Sequence, residues 1–313
     1  MPVIALSRRH LRDLLPFASL ALVLAATFIK QPNTMSYFGL NLMLQYAVPI
    51  ALATIAQMFI ITVNDLDLSI GPFVGLVGCI SATWLHADPA LGVLALILCV
   101  AAYALMGALI YVRNLPSIVV TLGMSFVWMG IAVLILPSPG GKAPEWAKAV
   151  MSLQVPFIPF PIVAAVAIAL VVHVGLMLSS YGVIMRGTGG NPKAMARAGW
   201  SLLWTKVAMY ALAAVFGVLA GLSLIGLTTS ADAHIADRYT LYSIAGVILG
   251  GGEFVGGRVS PFGAVFGALT LALAASFLIF MNISPIWQIG AQGAILIIVL
   301  ALRALISLGE ARR

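Results

Sequence analysis

Long apolar runs separated by short polar breaks repeat along almost the whole chain. They fall near Leu14–Ile29, Leu40–Val63, Ile70–Leu85, Ala90–Tyr111, Ser117–Leu136, Ile162–Leu178, Val207–Leu227, Leu241–Gly250, Pro261–Met281 and Ile286–Leu302. Crossing hydrocarbon takes about 20 apolar residues per helix, so the pattern predicts an all-α, polytopic transmembrane helical bundle of about ten spans. Strict apolar–polar alternation over ten-residue segments, which would mark an outer-membrane barrel, is absent. No soluble domain fits between the runs, so residues 1–313 read as a single transmembrane domain.

Composition agrees. The chain is 62% hydrophobic and 8% charged, with mean hydropathy +1.12, whereas soluble domains are about a quarter charged. The net charge of +7 gains meaning from its placement. With the N-terminus inside and sides alternating over ten spans, inside segments hold Arg8, Arg9, Arg12, Arg113, Arg186, Lys193, Arg197, Lys206, Arg258, Arg303, Arg312 and Arg313. Outside segments hold only Lys30, Lys142, Lys148 and Arg238. Twelve of sixteen cations inside satisfies the positive-inside rule. Both termini are therefore expected in the cytoplasm, and the basic excess implies no nucleic-acid partner. Ser7-Arg8-Arg9-His10-Leu11-Arg12 loosely resembles a twin-arginine export signal, but no small-x-small cleavage site follows, so an uncleaved first span is expected. Cys79 and Cys99 lie inside apolar runs and are expected to be reduced thiols.

The breaks carry the candidate chemistry. Ser179–Lys206 holds Arg186, Lys193, Arg197 and Lys206 and no acid. Within it, Asn191 suits an N-cap, Pro192 the first helical position and Gly199 the left-handed residue after the last turn. A short, capped, basic helix on the cytoplasmic side is expected to touch another protein, with Lys193 and Arg197 four apart on one face. The stretch Val63–Pro72 places Asp65, Asp67, Ser69 and Gly71 between apolar runs, where burying charge costs several kcal/mol unless it is solvated or paired. Two readings stay open there: a polar helix break at the interface, with Ser69 capping the following helix, or a hinge or gate on a conduction pathway. The longest outside loop, Pro137–Pro161, offers Glu145, Trp146 and Lys148 to an external partner.

Several motifs carry less. The glycine-rich Leu249–Arg258 lacks any G-x-x-x-x-G-K-[S/T] pattern, so no nucleotide site is expected in this chain. Glu253 and Arg258 are expected to pair with each other or to meet the partner of the short helix. His173, mid-span, is either a proton relay or an imidazole bonded to a neighbouring helix. His86, Asp88, Asp232, His234 and Asp237 are too scattered for a metal site of recognisable spacing. With no nucleophile triad, H-E-x-x-H or C-x-x-C, the chain is read as having no catalytic residues and no metal. A weak internal repeat relates Gly107–Pro116 to Ala275–Pro285, and Ser69–Val77 to Arg258–Phe266. Duplicated halves of this kind are common in transporters.

Taken in order, the motifs resemble the ribose-type permeases of ATP-binding-cassette sugar importers. Asp65-Leu-Asp-Leu-Ser-Ile-Gly71 resembles their I-D-L-S-V-G segment, and Asn114-Leu-Pro116-Ser-Ile-Val-Val-Thr121-Leu-Gly123 their P-x-F-I-V-T-L-G stretch. Gly189-Gly190-Asn191-Pro192-x-Ala194 is similar to their G-x-N-x-x-A-A loop. Gly250-Gly251 through Gly256-Gly257-Arg258 to Gly267, then Ser284-Pro285-x-Trp287-Gln288, follow their C-terminal pattern. Their usual Gly-Gly before I-D-L-S is Val63-Asn64-Asp65 here, with an extra carboxylate, and the paired Ala of the loop is Met195-Ala196.

The resemblance implies a dimerising permease, as homodimer or related heterodimer. Cytoplasmic ATPases, which bind the ATP and Mg, would dock on its coupling loop, and a periplasmic binding protein would deliver the solute. Gly190, Asn191, Pro192, Lys193, Ala194, Arg197 and Gly199 would then form the coupling contact. Asp65, Asp67, Ser69 and Gly71, with Asn114 and Pro116, would lie near the translocation pathway. Rival expectations are a branched-chain amino-acid or nucleoside permease of the same superfamily, or an ion-coupled carrier working alone. The carrier would call for several intramembrane carboxylates, and the span interiors are almost free of them.

Overall fold

The computed structural model describes residues 3–281, with side chains from Pro16 onward, and the separate positions Trp287, Gly290, Gly293, Ala294 and Ile297. The rest of the run Ile286–Leu302, the segment Ser284–Gln288 apart from Trp287, and the C-terminal arginines lie outside the described residues. Among those described, the regular secondary structure is helical, and one isolated bridge joins Gly140 to Ala231.

In chain order the helices are α1 (Val3–Lys30), α2 (Tyr37–Leu44), α3 (Ala47–Thr62), α4 (Ile70–Ala82), α5 (Trp84–Ala87), α6 (Pro89–Val112) and α7 (Ser117–Ile135). There follow α8 (Glu145–Met151), α9 (Phe160–His173), α10 (Ser180–Gly190), α11 (Pro192–Arg197), α12 (Leu202–Thr228), α13 (Tyr239–Leu249) and α14 (Pro261–Phe280). A π-helical turn at Val174–Leu178 extends α9. Among the described residues, six helical stretches are long and apolar enough to cross a membrane, or up to seven if α2 and α3, bent by 42° at Gln45–Tyr46, form one span. The chain is thus a multi-pass bundle. The expected span at Leu241–Gly250 is the 11-residue α13, which at 1.5 Å per residue reaches only about half of a 30 Å core.

Helix α3 is the axis of the packing. All of its residues are buried, as befits a helix that is apolar all round. It is surrounded by α12, α13 and α14, with α9 and α4 also packed on it. Helices α6 and α7 instead turn Leu105, Phe126 and Leu134 outward. Lipid tails are as apolar as these side chains, so helix association in a membrane depends on close packing rather than on removing apolar area from water.

Two non-helical segments lead into buried helix starts. Val63–Ser69 passes from the end of α3 to the start of α4, and Thr229–Arg238 leads from α12 into α13. The first turns of α4 and α13 meet: Gly71 N donates to Thr240 Oγ1 at 3.0 Å, and a Cβ at Gly71 would sit 2.6 Å from the Ala236 carbonyl oxygen. Of the sequence repeat, Pro72 and Pro261 both fall in the first turn of their helices, α4 and α14. The counterpart of Gly107–Pro116 runs partly outside the described residues.

Candidate functional site

The chain between α3 and α4 begins with a helix stop. Asn64 adopts φ +61°, its N–H reaches Ile61 O at 3.0 Å, and Asp65 N reaches Ile60 O at 3.2 Å, a Schellman turn with asparagine in the left-handed position. The same turn closes α6, with Asn114 at φ +49° and Leu115 N on Ile110 O at 3.0 Å. Pro116 then sits at the N-cap of α7. Asn114 and Pro116 are therefore helix punctuation next to the break.

Past Asn64 every residue to Ser69 is held by a hydrogen bond. Asp65 Oδ2 accepts from Lys206 Nζ at 2.8 Å and from Tyr210 Oη at 2.9 Å, both on α12. Leu66 N and Leu68 N donate to Ser117 Oγ (3.2 Å) and Thr121 Oγ1 (3.1 Å) on α7. Asp67 is fully buried. Its Oδ1 accepts from Ser69 N and Ser69 Oγ, both at 2.7 Å, and its Oδ2 from Tyr103 Oη on α6. Behind it the Gln57 amide of α3 pairs with the Asp67 backbone, donating to its carbonyl at 3.1 Å and accepting from its N–H at 3.2 Å. Extended backbone at this depth is tolerated only if its polar groups find partners, and here side chains of α3 and α7 provide them. Ser69 occupies the N-cap position of α4 but makes no side-chain cap; its hydroxyl is spent on Asp67, which corrects the expectation that it caps the helix. Around this carboxyl Phe73, Tyr103 and Trp128 form an aromatic cluster, with Tyr103 and Trp128 stacked at 6.1 Å.

On the same side of the bundle stands the short basic helix. Asn191 Oδ1 accepts from Ala194 N at 3.0 Å, Pro192 opens α11, and Gly199 at φ +87° ends it, with Trp200 N on Met195 O at 3.1 Å. None of its residues is buried, so Lys193 and Arg197 are presented outward. Before it, Arg186 satisfies the π-turn through Nε to Leu176 O (3.1 Å) and Nη2 to Met177 O (3.3 Å). α11 is thus an exposed, capped, cationic helix.

The sequence comparisons agree on what such a bundle is. Residues 39–300 match the family described as branched-chain amino acid transport system / permease component. The chain belongs to that family. This permease is 28% identical over 316 residues to the galactose/methyl galactoside import permease protein MglC of Salmonella typhimurium, covering 92% of this chain and 93% of the relative. It is 26% identical over 294 residues to the ribose import permease protein RbsC of Bacillus subtilis, at 92% and 91% coverage. It is 26% identical over 283 residues to the fructose import permease protein FrcC of Rhizobium meliloti, at 85% and 78%. No solved structure matches the chain.

In this permease the fold brings two of the sequence candidates together and leaves others apart. The Asp65–Ser69 break and the α10–α12 hairpin share one corner, through Lys206. His173 lies away from it, with its ring 5.2 Å from that of Phe262. Glu253 and Arg258 approach each other to 3.7 Å across their glycine turn. The long loop after α7 packs as α8 on α12, with Glu145 paired to Lys148 at 2.8 Å and Trp146 exposed. The Lys148 ammonium holds the Glu145 carboxyl below its ordinary range. Among the described residues no group of three or more His, Cys, Asp or Glu converges on a metal position. Sequence reasoning passed over Gln57, Tyr103 and Tyr210. Their signal was a hydrogen-bonding side chain inside an apolar span, a rarity that marks interior contacts.

Proposed function

We propose that this permease is the membrane subunit of an ATP-driven importer of a monosaccharide or similar small polyol in the bacterial inner membrane. It would form a single permease domain of about ten spans with both termini cytoplasmic, paired with a second permease subunit. Cytoplasmic ATPases supply ATP hydrolysis and bind its Mg, and a periplasmic binding protein delivers the solute. The observation that carries the reading is α11, exposed and capped, in a chain whose relatives are import permeases for galactose, ribose and fructose. In this reading the Gly190–Gly199 segment is the ATPase contact, and Asp65, Asp67, Ser69, Gly71, Asn114 and Pro116 border the gate. Closure of the ATPases on ATP pulls α11 and shifts the bundle between inward and outward access.

The test is uptake by proteoliposomes containing the permease, its ATPases and its binding protein. Radiolabelled D-galactose, D-ribose, D-allose and D-fructose are offered one at a time, with L-leucine as the probe for the amino-acid reading that the family description favours. Uptake of a sugar that needs ATP and the binding protein is expected. Uptake driven by an ion gradient without the ATPase overturns the proposal. Lys193→Glu with Arg197→Glu is expected to abolish the ATP requirement's link to uptake while membrane insertion persists, and unchanged transport in that double variant removes α11 from the mechanism.

A further inference from the structure

Asn64 and Asp65, adjacent in sequence, hold opposite arms of the α11 hairpin. Asn64 Nδ2 donates to Gly189 O at 2.7 Å, on the arm that enters α11. Asp65 binds Lys206, on the arm that leaves it, through a pair in which the Lys and Asp side chains are only 16% and 10% exposed. Asn64 Oδ1 also accepts from Gly256 N at 3.0 Å, so the glycine-rich turn between α13 and α14 is tied to the same residue. The grip is tight: a Cβ at Gly189 would overlap the carbonyl oxygen of Thr62, the last residue of α3. Two residues further on, the chain is locked to Gln57 and Tyr103 through Asp67. Displacement of the hairpin therefore has a short, polar, hydrogen-bonded route into the buried break, and side chains rather than apolar sliding surfaces form each joint.

We infer that Asn64 and Asp65 are positioning residues that receive movement of the α11 hairpin and pass it to the Asp67 segment. The inference rests on the importer reading above. α11 docks the ATPase; Asn64 and Asp65 convert its displacement into a displacement of Val63–Ser69, and through Gly256 they carry the turn between α13 and α14 with it. A purely structural role for the pair would cost stability and leave the ratio of transport to hydrolysis alone.

The experiment measures, in the reconstituted full complex, ATP hydrolysis and uptake of a mixture of radiolabelled D-galactose, D-ribose, D-allose and D-fructose. One variant is Asn64→Gly, which keeps the left-handed backbone and deletes only the amide. A second, independent variant is Asp65→Asn with Lys206→Met, which removes both charges so that neither is left buried alone. Both are expected to co-purify with the ATPase and to hydrolyse ATP while moving about tenfold fewer sugars per ATP, a typical coupling between linked sites. Uptake per ATP equal to wild type in either variant overturns the inference. So does loss of ATPase co-purification by a folded variant, because the pair would then build the docking surface and relay nothing. A wild-type complex that moves no sugar overturns the importer reading and this inference with it, and is distinguished because it fails before any substitution is made.

Discussion

The two breaks, Val63–Ser69 and Thr229–Arg238, solve one physical problem in opposite ways. Each leads non-helical backbone into a buried helix start, and the helices that follow meet at Gly71 and Thr240. The first is held by polar side chains reaching far along the chain: Asn64 to Gly189, Asp65 to Lys206, Asp67 to Tyr103. The second is held by small residues. Ala233 and Ala236 are buried with their carbonyls against Gly75 and Gly71 of α4, Ala231 is buried and bridged to Gly140, and Asp232, His234 and Asp237 bond to one another or to nearby backbone. A polar joint is directional and can transmit displacement through specific contacts. A small-residue seam fixes distance and makes few demands on chemistry. In the inference above the first break is the one that is moved, and the second is packed against.

The contrast breaks first at Asp67. Replacing it with alanine strips three hydrogen bonds from a buried corner and leaves Tyr103 and Ser69 with fewer partners, while the backbone pairing with Gln57 persists. A loss of about 3 kcal/mol is expected, read as a lower thermal transition of the detergent-purified permease. A loss below about 1 kcal/mol would mean that the corner is not anchored by its polar contacts. The seam breaks next. In Gly75→Val the new Cβ lies 2.5 Å from the Ala233 carbonyl oxygen, and overpacking against backbone costs about 1–3 kcal/mol. Gly78→Ala on the same helix meets nothing within 4 Å and gains from the better helix propensity of alanine. Equal melting temperatures for the two glycine variants would show that the seam is not a close contact.

How far each region was legible in the sequence follows from the same contrast. Charges inside an apolar chain are conspicuous, so Asp65 and Asp67 stood out, and the cap residues Asn191, Pro192 and Gly199 specify their helix by local chemistry alone. Their partners did not stand out. Tyr103 and Gln57 lie 36 and 10 residues from Asp67, and only the packing of α3 and α6 brings them to it. The seam was read as scattered outside-loop acids and histidines, because the alternation of buried alanine with exposed Asp or His over 231–237 is too short to separate from loop composition. The run at Leu241–Gly250 reads as a span for a related reason: hydropathy registers burial in an apolar setting, and the 11-residue α13 is buried largely by protein.

Two smaller changes sharpen the comparison. Tyr103→Phe keeps the ring packed on Phe73 and Trp128 and removes one donor to a carboxylate, so a loss of about 1–2 kcal/mol is expected. In a Tyr103→Phe, Asp67→Ala double variant the two losses should fall short of additivity, since both remove the same bond. The smallest effect belongs to the seam's own polar residues. The His234–Asp237 pair, 3.0 Å apart with side chains 62% and 44% exposed, is an exposed contact of the kind worth about 0–1 kcal/mol before screening. Asp237→Ala is therefore expected to leave the thermal transition within about 0.5 kcal/mol of the parent. If it instead costs as much as Tyr103→Phe, then Thr229–Arg238 is also a polar joint, and the distinction between a segment built to be moved and one built to be packed would not hold.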